Sequence, residues 1–186
     1  MKRKILIISF IFLFITFSCN DLSEKVYSEL TEHGYNYSSG EIFNIIGPVY
    51  QNMRGFSSHV NLAIIQETTS DILVMPANAS GWDDGGIYKK MHLHTWDSEA
   101  IQVRNLWTVL YRGVLHANRI INQLTTNAVP VPTGVSRDAL IAEVKVARAF
   151  YYWLLIDNFG DVPFVTTISQ DLPSKESKNE IYDAIV

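Results

Sequence analysis

The sequence predicts an all-α fold of tetratricopeptide-like helical pairs that are connected by long irregular loops. Two long segments, residues 103–124 and 139–155, repeat apolar side chains at intervals of three and four, which is the spacing of one helix face. A short turn that contains Pro130 and Pro132 joins them, so the two helices should pack as an antiparallel pair. Such pairs are the stacking units of solenoid folds, although the strict tetratricopeptide sequence signature is absent.

The composition of the 186 residues limits the kinds of protein that the chain can be. One Cys rules out an internal disulfide framework and any multi-cysteine metal site. The 15 Lys and Arg residues are outnumbered by 19 Asp and Glu residues, which disfavours a nucleic-acid-binding surface because such a surface needs a basic stripe. An apolar fraction of 47% disfavours disorder. We therefore expect a folded protein with no nucleic-acid partner and no cofactor.

The first residues, 1–18, have the pattern of a secretory signal peptide. Basic residues at positions 2–4 precede an apolar run over 5–17, which is shorter than the roughly 20 residues that a membrane-spanning helix needs. Cys19 follows where a bacterial lipoprotein carries its lipidated cysteine, and acylation there would anchor the chain. Thr16 stands where the cleavage motif usually has Leu, so an ordinary signal peptide followed by an incidental Cys is the alternative.

The chain after the signal peptide divides into a short polar segment and a helical domain. Residues 19–38 are predicted to be a lipid-anchored tether and lead-in, and residues 39–186 the N-terminal part of the domain. Ser38 and Glu41 have the spacing of a capping box in front of the first helical pattern. Because Pro48 lies inside that pattern, we expect a kink or a break near Gly47.

A loop rich in Asn, Ser, Gly and Asp extends over residues 76–86, and three aromatic residues lie in it and its continuation: Trp82, Tyr88 and Trp96. Long loops on a rigid scaffold often carry function. An aromatic ring can stack on the apolar C–H face of a sugar, so these residues are candidate ligand-binding residues. The alternative is that the three rings pin the loop to the helices.

Two short patterns in the same region resemble metal sites, and simpler explanations exist for both. Asp83 and Asp84 precede two glycines and could offer oxygens to a calcium ion, but a plain turn explains them. His92 and His94 alternate as they would on one face of a strand, but no third ligand lies near them. We therefore predict no metal site.

The later helices have recognisable ends. Asp97 or Ser98 is placed to cap the first long helix, and Ser136 to cap the second. Gly160 is expected to end the second long helix. A polar, extended stretch then leads to another helical pattern over residues 179–186, and the two turns of this pattern suggest that the chain is a fragment.

Arg148 lies within an otherwise apolar part of the second long helical segment. A buried Arg needs a partner, so we expect a structural ion pair with Glu67, Asp71 or Asp161. The aromatic run that follows Arg148 is predicted to be core. Both long helices nevertheless carry apolar residues on more than one face, so we also expect exposed apolar side chains from residues 139–156.

Several linked motifs cover almost the whole chain after Cys19. The longest motif runs from Glu143 to Pro163 and contains Arg148-Ala149, an aromatic run and Phe159-Gly160-Asp161-Val162-Pro163. The helix before it contributes Trp107, Tyr111, Ala117 and Asn118. The remaining motifs are Glu67 to Asp71, Trp82 to Gly86 with His94-Thr95-Trp96, and Asn179 to Asp183. Together they resemble the SusD/RagB family of outer-membrane nutrient-binding lipoproteins of Bacteroidetes. Family members are several hundred residues long, so the resemblance is to the N-terminal part of a SusD-like protein, a truncated SusD-like fold.

The resemblance implies a lipid-anchored, surface-exposed protein of the cell outer membrane that sits over a SusC-like TonB-dependent transporter. It implies capture of an oligosaccharide and its delivery to that transporter. A peptide-binding receptor of the RagB type and a structural scaffold without a ligand are the alternatives. The sequence contains no nucleophile elbow, zinc-protease motif or phosphate loop, so we expect a binding protein rather than an enzyme.

Overall fold

The computed structural model describes residues 42–76 and 84–186, which are mostly helical. Helix α1 (Ile42–Met53) is followed by a 3-10 helix (Arg54–Ser57), α2 (Leu62–Thr69), the short α3 (Ile87–His92), the long α4 (Ile101–Thr125) and α5 (Arg137–Phe159), and α6 (Lys178–Ile185). Between α5 and α6, β1 (Val162–Pro163) pairs antiparallel with β2 (Lys175–Glu176). The predicted all-α class is confirmed, while tetratricopeptide-like stacking of pairs stays a prediction.

Helices α4 and α5 form the centre of the core and share the largest interface among the described elements. Gly113 of α4 lies against Tyr151 of α5, and a Cβ atom at Gly113 would meet the Tyr151 ring. The missing side chain therefore lets the ring pack directly on the backbone of α4. Tyr151 is fully buried, and its hydroxyl donates to the carbonyl oxygen of Val49 in α1 at 2.6 Å.

Helix α1 packs on both long helices through its buried side chains Ile45, Ile46 and Val49. The break expected near Gly47 does not occur, because α1 runs continuously through Pro48, and a kink there stays a prediction. A proline removes one helical hydrogen bond, and burial of the apolar face on both sides of it compensates. The Tyr50 hydroxyl donates to Glu143 Oε1 of α5 at 2.6 Å, and this hydrogen bond raises the pKa of Tyr50 to about 12.

The ends of α5 and α6 follow simple capping rules. The Ser136 side chain accepts a hydrogen bond from the backbone N–H of Ala139 at 3.2 Å, and Gly160 ends α5 with a φ of 72°, both as predicted. Helix α6 begins with a capping box, in which Ser177 and Glu180 each accept from the backbone N–H of the other. The hydrogen bonds from Ser177 lower the pKa of the Glu180 carboxyl.

The aromatic run of α5 divides between core and surface. Tyr151 and Tyr152 are fully buried, whereas Phe150 is 40% exposed and Trp153 is 47% exposed. Val146, one turn earlier, is 71% exposed. The expected exposure of apolar side chains from this helix is therefore observed, and the prediction that the whole run is core is wrong, because successive residues of a helix point in different directions.

Some of the predictions fall on residues that the structure does not describe. Cys19, the capping box at Ser38 and Glu41, and Trp82 lie outside the described residues. The lipid anchor and the tether therefore stay predictions. Within residues 42–76 and 84–186, no helix has both the length and the apolar character that crossing a membrane requires.

Candidate functional site

A cleft of about 320 Å³ lies between α3 and the first turn of α4. Trp96 supplies an aromatic wall, and Ile87 supplies an aliphatic one. The polar residues of the lining are one cation, two carboxylates, one hydroxyl residue and one amide residue: Lys90, Asp97, Glu99, Thr95 and Gln102. An apolar wall with a few convergent polar groups is the usual composition of a small-ligand site.

Hydrogen bonds hold the loop that carries Trp96. The backbone N–H of Thr95 donates to the carbonyl oxygen of Lys90 at 2.9 Å. The imidazole Nε2 of His94 lies 3.0 Å from the carbonyl oxygen of Thr69, which ties the loop to the end of α2. These contacts fix the backbone on the N-terminal side of Trp96.

The loop on the other side of Trp96 is shaped by Asp97 without capping α4. Asp97 Oδ1 accepts from the backbone N–H of Glu99 at 3.0 Å, and the carbonyl oxygen of Asp97 accepts from the N–H of Ala100 at 3.2 Å. The prediction that Asp97 or Ser98 caps α4 is wrong, because Ala100 precedes the first helical residue and provides no side-chain cap. Asp97 instead closes a tight turn at the mouth of the cleft.

Trp96 is 37% exposed, and its remaining surface is partly covered by the imidazole of His94, whose ring centre is 5.3 Å away. The two rings are tilted by 48° to each other. Of the three aromatic residues predicted to bind a ligand, Trp96 is thus the one that the described residues place, partly exposed, in a cleft. Its ring offers an area on which an apolar ligand face can stack.

Gln102 is a polar residue of the cleft that the sequence analysis missed. Its side chain is 1% exposed, and neither the amide nitrogen nor the amide oxygen makes a hydrogen bond. A buried amide without partners costs about 1–3 kcal/mol, so native structures rarely keep one. The sequence does hold a signal, because Gln102 continues the apolar stripe of Leu106 and Leu110 one turn toward the N-terminus of α4.

Tyr88 is not available to stack on a ligand in this structure. Its side chain is 1% exposed on α3, and its hydroxyl donates to the carbonyl oxygen of His59 at 2.8 Å. Burial, with a smaller effect of the Asp84 charge, raises the pKa of the Tyr88 hydroxyl. Tyr88 therefore belongs to the packing of α3 on the preceding segment, which was the alternative explanation for the aromatic residues of this region.

Of the two patterns that resemble metal sites, Asp83 lies outside the described residues, and Asp84, His92 and His94 make contacts within the fold. Asp84 accepts from the backbone N–H groups of Gly86 at 3.0 Å and Tyr88 at 3.2 Å. Burial alone would raise the pKa of the Asp84 carboxyl, but these hydrogen bonds outweigh that effect and lower the pKa. His92 lies at the end of α3, with its Nδ1 3.3 Å from Asp71 Oδ1, and the strand expected for His92 and His94 is a helix followed by a turn. Among the described residues, no group of three or more His, Cys, Asp or Glu could hold a metal ion.

The ion pair predicted for Arg148 is wrong, because both of its acceptors are neutral. Nη1 of Arg148 donates to Asn118 Oδ1 at 2.7 Å and to the carbonyl oxygen of Thr166 at 2.8 Å. Of the expected partners, Asp161 accepts from the backbone N–H of Lys178 at 3.0 Å. Burial lowers the pKa of Arg148, but a guanidinium keeps its proton at physiological pH.

Arg148 is part of a clamp on the extended segment 162–166, together with Tyr111, Asn118 and Tyr152. The Tyr111 hydroxyl donates to the carbonyl oxygen of Pro163 at 2.7 Å. The side-chain nitrogen of Asn118 donates to the carbonyl oxygen of Val165 at 2.9 Å. The Tyr152 hydroxyl donates to the Val165 carbonyl oxygen at 2.8 Å and accepts from its N–H at 2.7 Å. The motif residues of both long helices therefore hold the chain that follows α5.

Comparison with known proteins identifies a family and several relatives. A family model described as SusD-like, "Starch-binding associating with outer membrane", matches residues 25–186. Two relatives from Formosa agariphila, named SusD-like protein P25 and SusD-like protein P2, are 24% identical over 173 residues and 26% identical over 188 residues. The starch-binding protein SusD of Bacteroides thetaiotaomicron is 41% identical over 44 residues, which is 24% of this chain and 8% of that protein.

The two Formosa relatives are much longer than this chain. Their matches cover 89% and 96% of this chain, but only 32% and 35% of the relatives. The chain thus spans about a third of the length of these relatives. No solved structure matches the chain at a significant level.

Proposed function

Because this chain belongs to the SusD-like family, we propose that it is a glycan-binding lipoprotein of the outer membrane that captures oligosaccharides and delivers them to a SusC-like TonB-dependent transporter. The family description, starch binding in association with the outer membrane, supports both the ligand class and the location. The partly exposed indole of Trp96 in the cleft before α4 is the structural observation that carries the proposal. Binding without turnover is the activity we expect, and no cofactor is part of the proposal.

The cleft has the features that a sugar ring needs. The indole of Trp96 would stack on the apolar C–H face of the sugar. Lys90, Asp97 and Glu99 provide a donor and acceptors for hydroxyl groups at the rim. Trp82, which lies outside the described residues, stays a candidate ligand-binding residue.

Replacing Trp96 with alanine should weaken glycan binding by about tenfold or more, because the stacking surface is lost. The measurement is isothermal titration of the purified protein with maltoheptaose, a soluble starch fragment. Trp153→Ala is the matched control, since Trp153 is a similarly exposed indole on α5 and does not line the cleft. This control should leave the affinity unchanged.

Three results would count against the proposal. Absence of binding to maltoheptaose and to a panel of plant and algal glycans would favour a scaffold without a ligand. Binding of a peptide mixture in place of glycans would favour a RagB-type receptor. Release of shorter sugars from the bound glycan would mean that the protein is an enzyme.

The anchor is proposed at Cys19, the single cysteine of the chain. Cys19→Ala should leave the protein soluble or unprocessed, because no thiol remains to be acylated at the new N-terminus. Fractionation of cells followed by detergent extraction measures this, with Ser23→Ala as a control that should stay in the membrane fraction. Recovery of the Cys19→Ala protein in the membrane fraction would contradict lipidation at this residue.

A further inference from the structure

We propose that Gln102 is a specificity-determining residue of the cleft, which selects sugars that present two adjacent hydroxyl groups. The amide nitrogen would donate to one hydroxyl oxygen, and the amide oxygen would accept from the O–H of the neighbouring one. This inference rests on the proposed function, because it assumes that the ligand of the cleft is a sugar. It adds the chemical feature by which the cleft distinguishes one sugar from another.

The unpaired amide is the first observation that supports this role. Gln102 is almost fully buried in the first turn of α4, yet both polar atoms of its side chain lack hydrogen bonds. An apolar residue of similar size would fit the same stripe of α4 without that cost, since Leu106 and Leu110 continue it. A buried polar group without partners calls for an explanation, and a ligand of the cleft that pairs with the amide is the one that we propose.

The position of Gln102 relative to Trp96 is the second observation. Both residues line the same cleft. A sugar that stacks one face on the indole directs its ring hydroxyls sideways, away from the aromatic ring. Adjacent hydroxyls then present a donor and an acceptor close together, which matches the donor and acceptor of one planar amide.

Ligand binding at this position requires a local movement. The two polar atoms of Gln102 are closed to solvent, so the side chain has to rotate toward the cleft before it can reach a sugar. Pairing of both atoms favours that rotation, because the unliganded state leaves them without partners. A site built in this way rejects a ligand that lacks a hydroxyl donor, because part of the amide then stays unpaired.

The experiment compares two ligands and two proteins. The ligands are maltoheptaose and its fully methylated derivative, which keeps the sugar rings but has no O–H donors. The proteins are the unaltered chain and Gln102→Met, which keeps the length of the side chain and removes the amide. We expect the unaltered chain to bind maltoheptaose about tenfold more tightly than the methylated sugar, and Gln102→Met to bind maltoheptaose more weakly and to distinguish less between the two ligands.

Thermal unfolding provides a second, independent measurement. Removal of two unpaired buried atoms should raise the Tm of Gln102→Met by about 4 °C. Gln51→Met, the same change at an exposed position of α1, should alter neither Tm nor affinity. A lowered Tm for Gln102→Met would mean that the amide has a structural partner, and this would overturn the proposal.

The outcomes separate this inference from the proposed function. If the unaltered chain binds no glycan at all, the proposed function fails and the inference with it. If maltoheptaose binds the unaltered chain and Gln102→Met equally well, the role of Gln102 alone is overturned. Equal binding of maltoheptaose and its methylated derivative by the unaltered chain also overturns this role and leaves glycan binding intact.

Discussion

Gly113→Ala should destabilise the protein by about 3 kcal/mol, the largest loss that we expect from alanine at any glycine that the structure describes. The new Cβ would overlap the ring of Tyr151, which is fully buried and held by its hydrogen bond to Val49. Displacement of this buried ring would strain that bond or separate α4 from α5. Inside a helix, alanine is about 1 kcal/mol more favourable than glycine. The expected destabilisation is the cost of the overlap minus this gain.

Denaturation by urea, followed by circular dichroism, measures this free energy of unfolding. Gly47→Ala in α1 is the matched control, because a Cβ atom at Gly47 meets no other atom within 4 Å. That variant should be unchanged or more stable by about 0.5–1 kcal/mol, since alanine favours the helix. Equal stability of the two alanine variants would show that the close approach of Tyr151 to α4 is not required for the fold.

Arg148→Met should lower the free energy of unfolding by about 2–4 kcal/mol, because it breaks two charge-assisted hydrogen bonds and leaves Asn118 with a buried, unpaired oxygen. Methionine keeps most of the apolar stem, so loss of packing contributes little. Lys145→Met, an exposed cation on the same helix, is the matched control and should have almost no effect.

The salt dependence of this loss distinguishes the two models for Arg148. Its acceptors are an amide oxygen and a backbone carbonyl oxygen, so the destabilisation should be nearly the same at low and at high ionic strength. Pairing with a carboxylate, as the sequence first suggested, would weaken with added salt. A loss that shrinks markedly in 1 M salt would therefore favour an ion pair over the contacts seen in the structure.

The long helices could be predicted from the sequence because their signals are local. Apolar spacing of three and four over about 20 residues marks α4 and α5, and Ser136 and Gly160 mark the two ends of α5. The continuity of α1 through Pro48 could not be predicted in the same way. It depends on burial against α4 and α5, which a local pattern does not contain.

The candidate site was only partly predictable for a similar reason. Trp96 could be proposed from its residue type alone, and so could Tyr88, but partners that are distant in sequence decide their exposure. The hydroxyl of Tyr88 bonds a carbonyl 29 residues earlier in the chain. Gln102 was missed because its importance lies in the absence of hydrogen-bond partners, which no sequence pattern records.

The hydrogen bond between Tyr151 and Val49 also has a consequence for the order of folding. The two long helices are joined by a short connection, so their pairing closes a small loop and is entropically cheap. The Tyr151–Val49 bond joins residues 102 positions apart, and closing that loop costs more chain entropy. The helical hairpin of α4 and α5 should therefore form first as a folding nucleus, and α1 should dock on it late and detach from it early.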